Sequence, residues 1–167
     1  MPHGPLIITL ELEESHKQWF TALRKKHFPA HSNYLEAHLT LFHKLPSEEP
    51  LIPATLRELA MRPVMPLEVT AIANLGNGVA FNIVAEELKQ LHQEMQQAFD
   101  PWLIRQDQQP LWPHITIQNK VTAFKAKCLQ EELQVSFQPF TINAVGFSTW
   151  YYLGGPWKAA DYFPFSG

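Results

Sequence analysis

Hydrophobic and polar positions fall into successive segments whose order repeats along the chain. "LIITLEL" alternates as a strand does, with Leu6, Ile8 and Leu10 on one face and Ile7, Thr9 and Glu11 on the other. In "ESHKQWFTALRKKHF", Trp19, Phe20, Leu23 and Phe28 return near helical spacing, and Pro29 ends the pattern. "AHLTLFHKL" alternates again and is closed by Pro46. "PATLRELA" reads as a short helix with proline in its first turn. "MPLEVTAIANLGNGVAFNIV" reads as two strands joined around Gly-Asn-Gly, a strong hairpin signal. "AEELKQLHQEMQQAF" is the clearest helix: Leu88, Leu91, Met95 and Phe99 form one apolar stripe, and Pro101 follows its end. After a loop through "DPWLIRQDQQPLWP" come a strand, "HITIQNKV", and a helix, "TAFKAKCLQEEL", with Thr122 as N-cap. "FTINAVGFSTWYYL" is strand again, and "GGPWKAADYFPFSG" reads as a tail.

Each half of this series runs strand, helix, strand, helix, strand. The expected fold is therefore α+β: a bilobal, duplicated arrangement with two antiparallel sheets flanking a central cleft and helices outside. The chain is expected to be a single domain over 1–167, with lobes at about 1–75 and 76–167 and strands exchanged between them.

Composition narrows the functional classes. The chain is 46% hydrophobic and 17% charged, a globular balance. A net charge of −3 offers no basic field for long duplex nucleic acid. A nucleotide or short RNA end in a local pocket stays open. Cys128 is the one cysteine, so no intramolecular disulfide and no CxxC zinc site can form, and on its helix it is expected to be a small buried residue. No run approaches a membrane span, and the N-terminus lacks the features of a signal peptide. A soluble, cytoplasmic monomer is the expectation.

The chemistry lies in a repeated pattern. "HLTL" starts at His38 and "HITI" at His114, each opening the third element of its half. On a strand, His38 and Thr40 share one face, as do His114 and Thr116, while Leu39, Leu41, Ile115 and Ile117 face the core. Residues two apart on a face are separated by about 6–7 Å, so an imidazole and a hydroxyl can touch one phosphate-sized group. Two such pairs across a cleft give what phosphoester cleavage needs. One neutral imidazole takes a proton from the attacking oxygen, and one imidazolium gives a proton to the leaving oxygen. Thr40 and Thr116 would donate to the non-bridging phosphate oxygens. No cofactor or metal is called for: neither His-x-His nor HExxH spacing occurs, and Pro29 breaks the only His pair four apart, His27 and His31.

"EAHLTLFHKLP" and "WPHITIQNKV" resemble the two signature motifs of the two-histidine phosphoesterase superfamily, in the branch called the 2'-5' RNA ligase family. The resemblance covers most of the chain. It implies a bilobal α+β fold with a central cleft, metal-independent activity, His38 and His114 as the catalytic pair, and Thr40 and Thr116 as phosphate-binding hydroxyls. Members include RNA 2',3'-cyclic phosphodiesterases and ligases of tRNA halves. RNA-processing members often carry an arginine soon after the second motif. Here the motif runs into Gln-Asn-Lys, and Lys120 falls on the His114, Thr116 and Gln118 face of a regular strand.

The expected activity is the opening of a 2',3'-cyclic phosphate, or a related 2'-5' phosphodiester, on a nucleotide or RNA end. The alternative is a module that binds such a ligand in the same cleft without turnover. Tyr34, Phe42, Trp112 and Trp150 are candidates to stack on a base, with Phe42 on the His38 face of a regular strand. His43 falls on the opposite face and reads as structural.

Overall fold

The computed structural model describes residues 4–32 and 35–167. Its elements are β1 (Leu6–Leu12), α1 (Glu14–His27), β2 (Leu39–Leu45), α2 (Leu51–Leu59), β3 (Met65–Asn74), β4 (Val79–Val84), α3 (Glu86–Ala98), β5 (His114–Gln118), α4 (Ala123–Gln134), β6 (Phe140–Tyr152) and β7 (Trp157–Pro164). Short 3-10 turns cover Ala30–Ser32, Asp100–Trp102 and Gln106–Gln108. The fold is α+β, and every strand pairing is antiparallel.

The strands form one continuous seven-stranded sheet in place of the two strand-exchanging antiparallel sheets expected. Its order is β2-β1-β6-β3-β4-β5, with β7 also on β6. The long β6 makes the join. Its first part, Phe140–Ala144, pairs with β3, and from Ala144 onward its other edge pairs with β1. Past the point where β3 leaves, β7 takes the vacated edge from Gly146 to Tyr152. The stretch read as a tail is thus a strand. Its mixed sequence, "WKAADYFP", lacks alternation because Phe163 is its one well-buried side chain.

The helices form where the apolar stripes require them. α3 buries Leu88, Leu91 and Met95, each worth about 1.5–3 kcal/mol of transfer free energy. Thr122 caps α4 by accepting from the Lys125 N–H at 3.2 Å. On α4 the buried positions go to Ala126 and Leu129, so Cys128 falls on the outer face and is exposed, contrary to expectation. α1 packs across the chain onto β5, and α4 packs on β3. Among the described residues, no helix is long and apolar enough to cross a membrane.

Candidate active site

His38 stands immediately before β2, and His114 opens β5. These strands are the two ends of the sheet order. His38 and His114 meet only because the sheet curls. His38, Thr40, His114 and Thr116 all line one cavity of about 370 Å³. Among the described residues, no group of three His, Cys, Asp or Glu side chains is placed to hold a metal ion.

The two imidazoles are held in the same way. His38 Nδ1 lies 2.9 Å from the Glu36 carbonyl oxygen, and His114 Nδ1 lies 2.8 Å from that of Trp112. A carbonyl only accepts, so Nδ1 carries the proton in both rings. Nε2 is then the ring nitrogen open to a ligand. It is a base when neutral and an acid when protonated.

β2 does not alternate as the sequence suggests. One step on β1, from Thr9 to Ile8, is answered by two on β2, from Thr40 to Phe42. A second irregularity follows before Leu6 meets Leu45. Each bulge inserts a residue and flips the faces beyond it. Phe42 therefore turns into the core: it is 0% exposed, stacked on His92 and edge-on to Phe99. It cannot meet a ligand, which corrects its candidacy. His43 turns the other way and lines the cavity with Thr40, so its placement on the opposite face is corrected too.

β5 carries a bulge at the equivalent place, between Thr116, opposite Ala80, and Gln118, opposite Val79. Gln118 is consequently buried, and the strand ends there. Lys120 sits beyond it in a turn, exposed, with φ 59°. The regular strand face that was to carry Lys120 to the site does not exist.

Of the aromatic candidates, Trp112 stacks on His114, with ring centres 4.2 Å apart, and its Nε1 donates to Asn82 Oδ1 at 2.6 Å. Trp150 donates from Nε1 to Thr9 Oγ1 at 2.9 Å and lines a smaller hollow on the far side of His38. Trp157, at the start of β7, packs against His38 with ring centres 4.9 Å apart. Each motif histidine thus has an indole beside it. Tyr34 lies outside the described residues.

The sequence reading missed Arg24, Asp107 and Trp157. Arg24 is 4% exposed on α1. It donates from Nη1 to the Thr116 carbonyl at 2.7 Å and from Nε to the Leu35 carbonyl at 3.3 Å, with Phe28 under its guanidinium. It ties the β5 edge to the segment leading into β2. Burial pushes it down to about 10, so it remains charged at neutral pH. Asp107 accepts from the His43 and Lys44 backbone N–H groups and from His43 Nδ1.

Burial pushes His38 down to about 4, opposed by its bond to the Glu36 carbonyl and reinforced by the nearby charges of Arg24 and His114. His114 is also lowered, first by burial and then by His43. An unfolded chain would protonate His38 near its ordinary value of 6.5, so it binds a proton that the folded state refuses between pH 6.5 and 4. Stability should fall as pH drops through that window, by up to about 3 kcal/mol from this group. Urea denaturation at pH 7 and pH 4.5 should show a smaller acid loss in His38→Gln than in the wild type. An equal loss would contradict the neutral state of this half-buried ring.

The model of the 2'-5' RNA ligase superfamily matches residues 12–156. No curated protein sequence matches the chain. Among solved structures, TT0787 of Thermus thermophilus is similar with a TM-score of 0.70 at 18% identity, over 98% of both chains. Escherichia coli LigT, over 100% of both chains, gives 0.63 at 16% identity in its complex with NADP+ and 0.62 at 17% in its complex with 3'-AMP. These structural likenesses establish a common fold. With the motif histidines at the starts of the two strands that close one cavity and the superfamily match spanning both, the chain belongs to the 2'-5' RNA ligase superfamily.

Proposed function

We propose that this protein is a metal-independent phosphoesterase that opens a 2',3'-cyclic phosphate, or a related 2'-5' phosphodiester, on a nucleotide or RNA end. The observation that carries this reading is the matched pair of imidazoles. Both have Nδ1 tied to a backbone carbonyl and Nε2 left open, beside two threonines on one cavity. Membership of the superfamily supports phosphoester chemistry. LigT, solved with 3'-AMP and with NADP+, makes a nucleotide the natural ligand to test.

In the proposed reaction, water attacks phosphorus and one neutral Nε2 takes its proton. The P–O bond to one ribose oxygen breaks, and that oxygen receives the proton from the other imidazolium's Nε2. The product is a phosphomonoester beside a free hydroxyl. Thr40 and Thr116 hold the non-bridging oxygens, whose charge grows in the transition state. Trp112 offers an indole face for a base.

The test is product analysis on 2',3'-cyclic nucleotides and on a short RNA ending in a cyclic phosphate, in EDTA, for wild type and His114→Ala. Conversion that persists in EDTA and disappears in the variant is the expected result. Saturable binding without product would favour a binding module. The pH profile provides a further prediction. The base must be neutral and the acid protonated, and both histidines lie below 6.5 in the free protein. The maximum of kcat/KM is therefore expected below pH 6.5, with activity declining as pH rises through neutrality. A maximum above pH 7.5 would count against this pair as acid and base.

A further inference from the structure

Besides His38 and His114 the cavity is lined by His92, which is buried with its Nε2 on the Leu41 carbonyl, and by His43, which has its own support. The second irregularity in β2 leaves the His43 and Lys44 backbone N–H groups off the ladder with β1, and both donate to Asp107 at 2.9 and 3.0 Å. Asp107 comes from the 3-10 turn Gln106–Gln108 and is 2% exposed. The same carboxylate lies 3.1 Å from His43 Nδ1. It accepts there, so Nδ1 carries the proton and Nε2 is the open nitrogen, as in His38 and His114. The His43 side chain is 48% exposed and lines the same cavity. The buried carboxylate fixes the orientation of the half-exposed imidazole and stands behind it as a counter-charge.

His43 is three residues beyond Thr40, at most about 10 Å along the strand. That is farther than a single phosphate held by Thr40 extends, yet close enough for His43 to act electrostatically on His114. No lysine or arginine lines this cavity among the described residues. A second anionic group on the ligand would therefore meet His43 as the half-exposed basic side chain beyond the motif pair.

We propose that His43, oriented by Asp107, is a second anion subsite that selects ligands carrying a further phosphate, such as a nucleotide with both a 3'- and a 5'-phosphate or an RNA end with its next phosphate. This inference rests on the phosphoester reading of the cavity and names the substrate class within it.

Calorimetric titration of adenosine 3'-monophosphate and adenosine 3',5'-bisphosphate at pH 6 tests it without requiring turnover. The wild type should bind the bisphosphate about tenfold or more tightly than the monophosphate, as expected for a charge-assisted hydrogen bond. His43→Gln should bring this ratio close to one, and His43→Lys should keep most of it. Asp107→Asn should also lower the ratio. Should that buried substitution disturb the turn, the exposed His43 variants still decide the matter. General structural damage weakens both ligands alike and leaves the ratio unmoved. A wild type without preference, or a preference that persists in His43→Gln, overturns the subsite. A preference that vanishes in His43→Gln in a protein that turns over no cyclic phosphate would retain the subsite and remove the hydrolytic reading.

Discussion

His114→Ala is expected to lower kcat by about 10²–10⁴-fold, the usual contribution of a positioned acid or base, while the protein stays folded. The side chain is partly exposed, and its Nδ1 is bonded to a carbonyl in the adjoining loop, not to a distant element. Losing it releases the Trp112 stacking contact but removes no core packing. His38→Ala should cost a similar factor. The double variant should lose little more than either single one, because residues that act in one proton-transfer sequence are not additive. Single-turnover product formation, with circular dichroism as the folding control, provides the measurement. A folded His114→Ala protein with more than half of the wild-type kcat would eliminate the two-histidine mechanism.

Why His38 and His114 were legible in the sequence, and His43 was not, has a physical cause. His38 stands just before its strand and His114 opens its own, ahead of any irregularity, so simple alternation places them correctly. Phe42 and His43 come after a bulge, which exchanges the faces of everything beyond it. Nothing in "HLTLFHKL" marks the extra residue. Lys120 fails for the same reason on β5. The element order was readable because apolar stripes such as Leu88, Leu91 and Met95 are local. Trp157 was hidden because β7 buries little of itself and is defined by pairing with β6. Asp107 was hidden because its partners, the N–H groups of His43 and Lys44, are distant in sequence and are freed only by the irregular strand. The single continuous sheet was equally beyond reach, since it depends on which edges of β6 are taken by β1 and by β3.

Arg24→Met is expected to reduce kcat by about 10²-fold while costing only about 1–3 kcal/mol of stability. Arg24 lies in the basic stretch "ALRKKH", and in the fold it is the bolt between the two motif strands. β2 and β5 are the terminal strands of the sheet order, so no backbone ladder fixes one against the other. Arg24 does so from α1, donating to the carbonyl of Thr116 in β5 and to that of Leu35 ahead of β2. Two opposing effects set the stability change. Methionine leaves two carbonyls short of a donor, at about 1–3 kcal/mol each if they remain buried. It also relieves the desolvation of a guanidinium that burial has pushed down to about 10. The apolar stem keeps most of the volume, so no large cavity adds to the loss. The geometric effect has no such offset: a shift of about 1 Å between the Thr116 strand and the His38 segment can cost about two orders of magnitude in rate. Arg24→Lys should recover part of the activity, because an ammonium can reach one carbonyl but lacks the fork that spans both. Urea midpoints alongside kcat and KM would check this. An Arg24→Met protein that keeps full kcat would show that the two motif strands hold their spacing without this side chain.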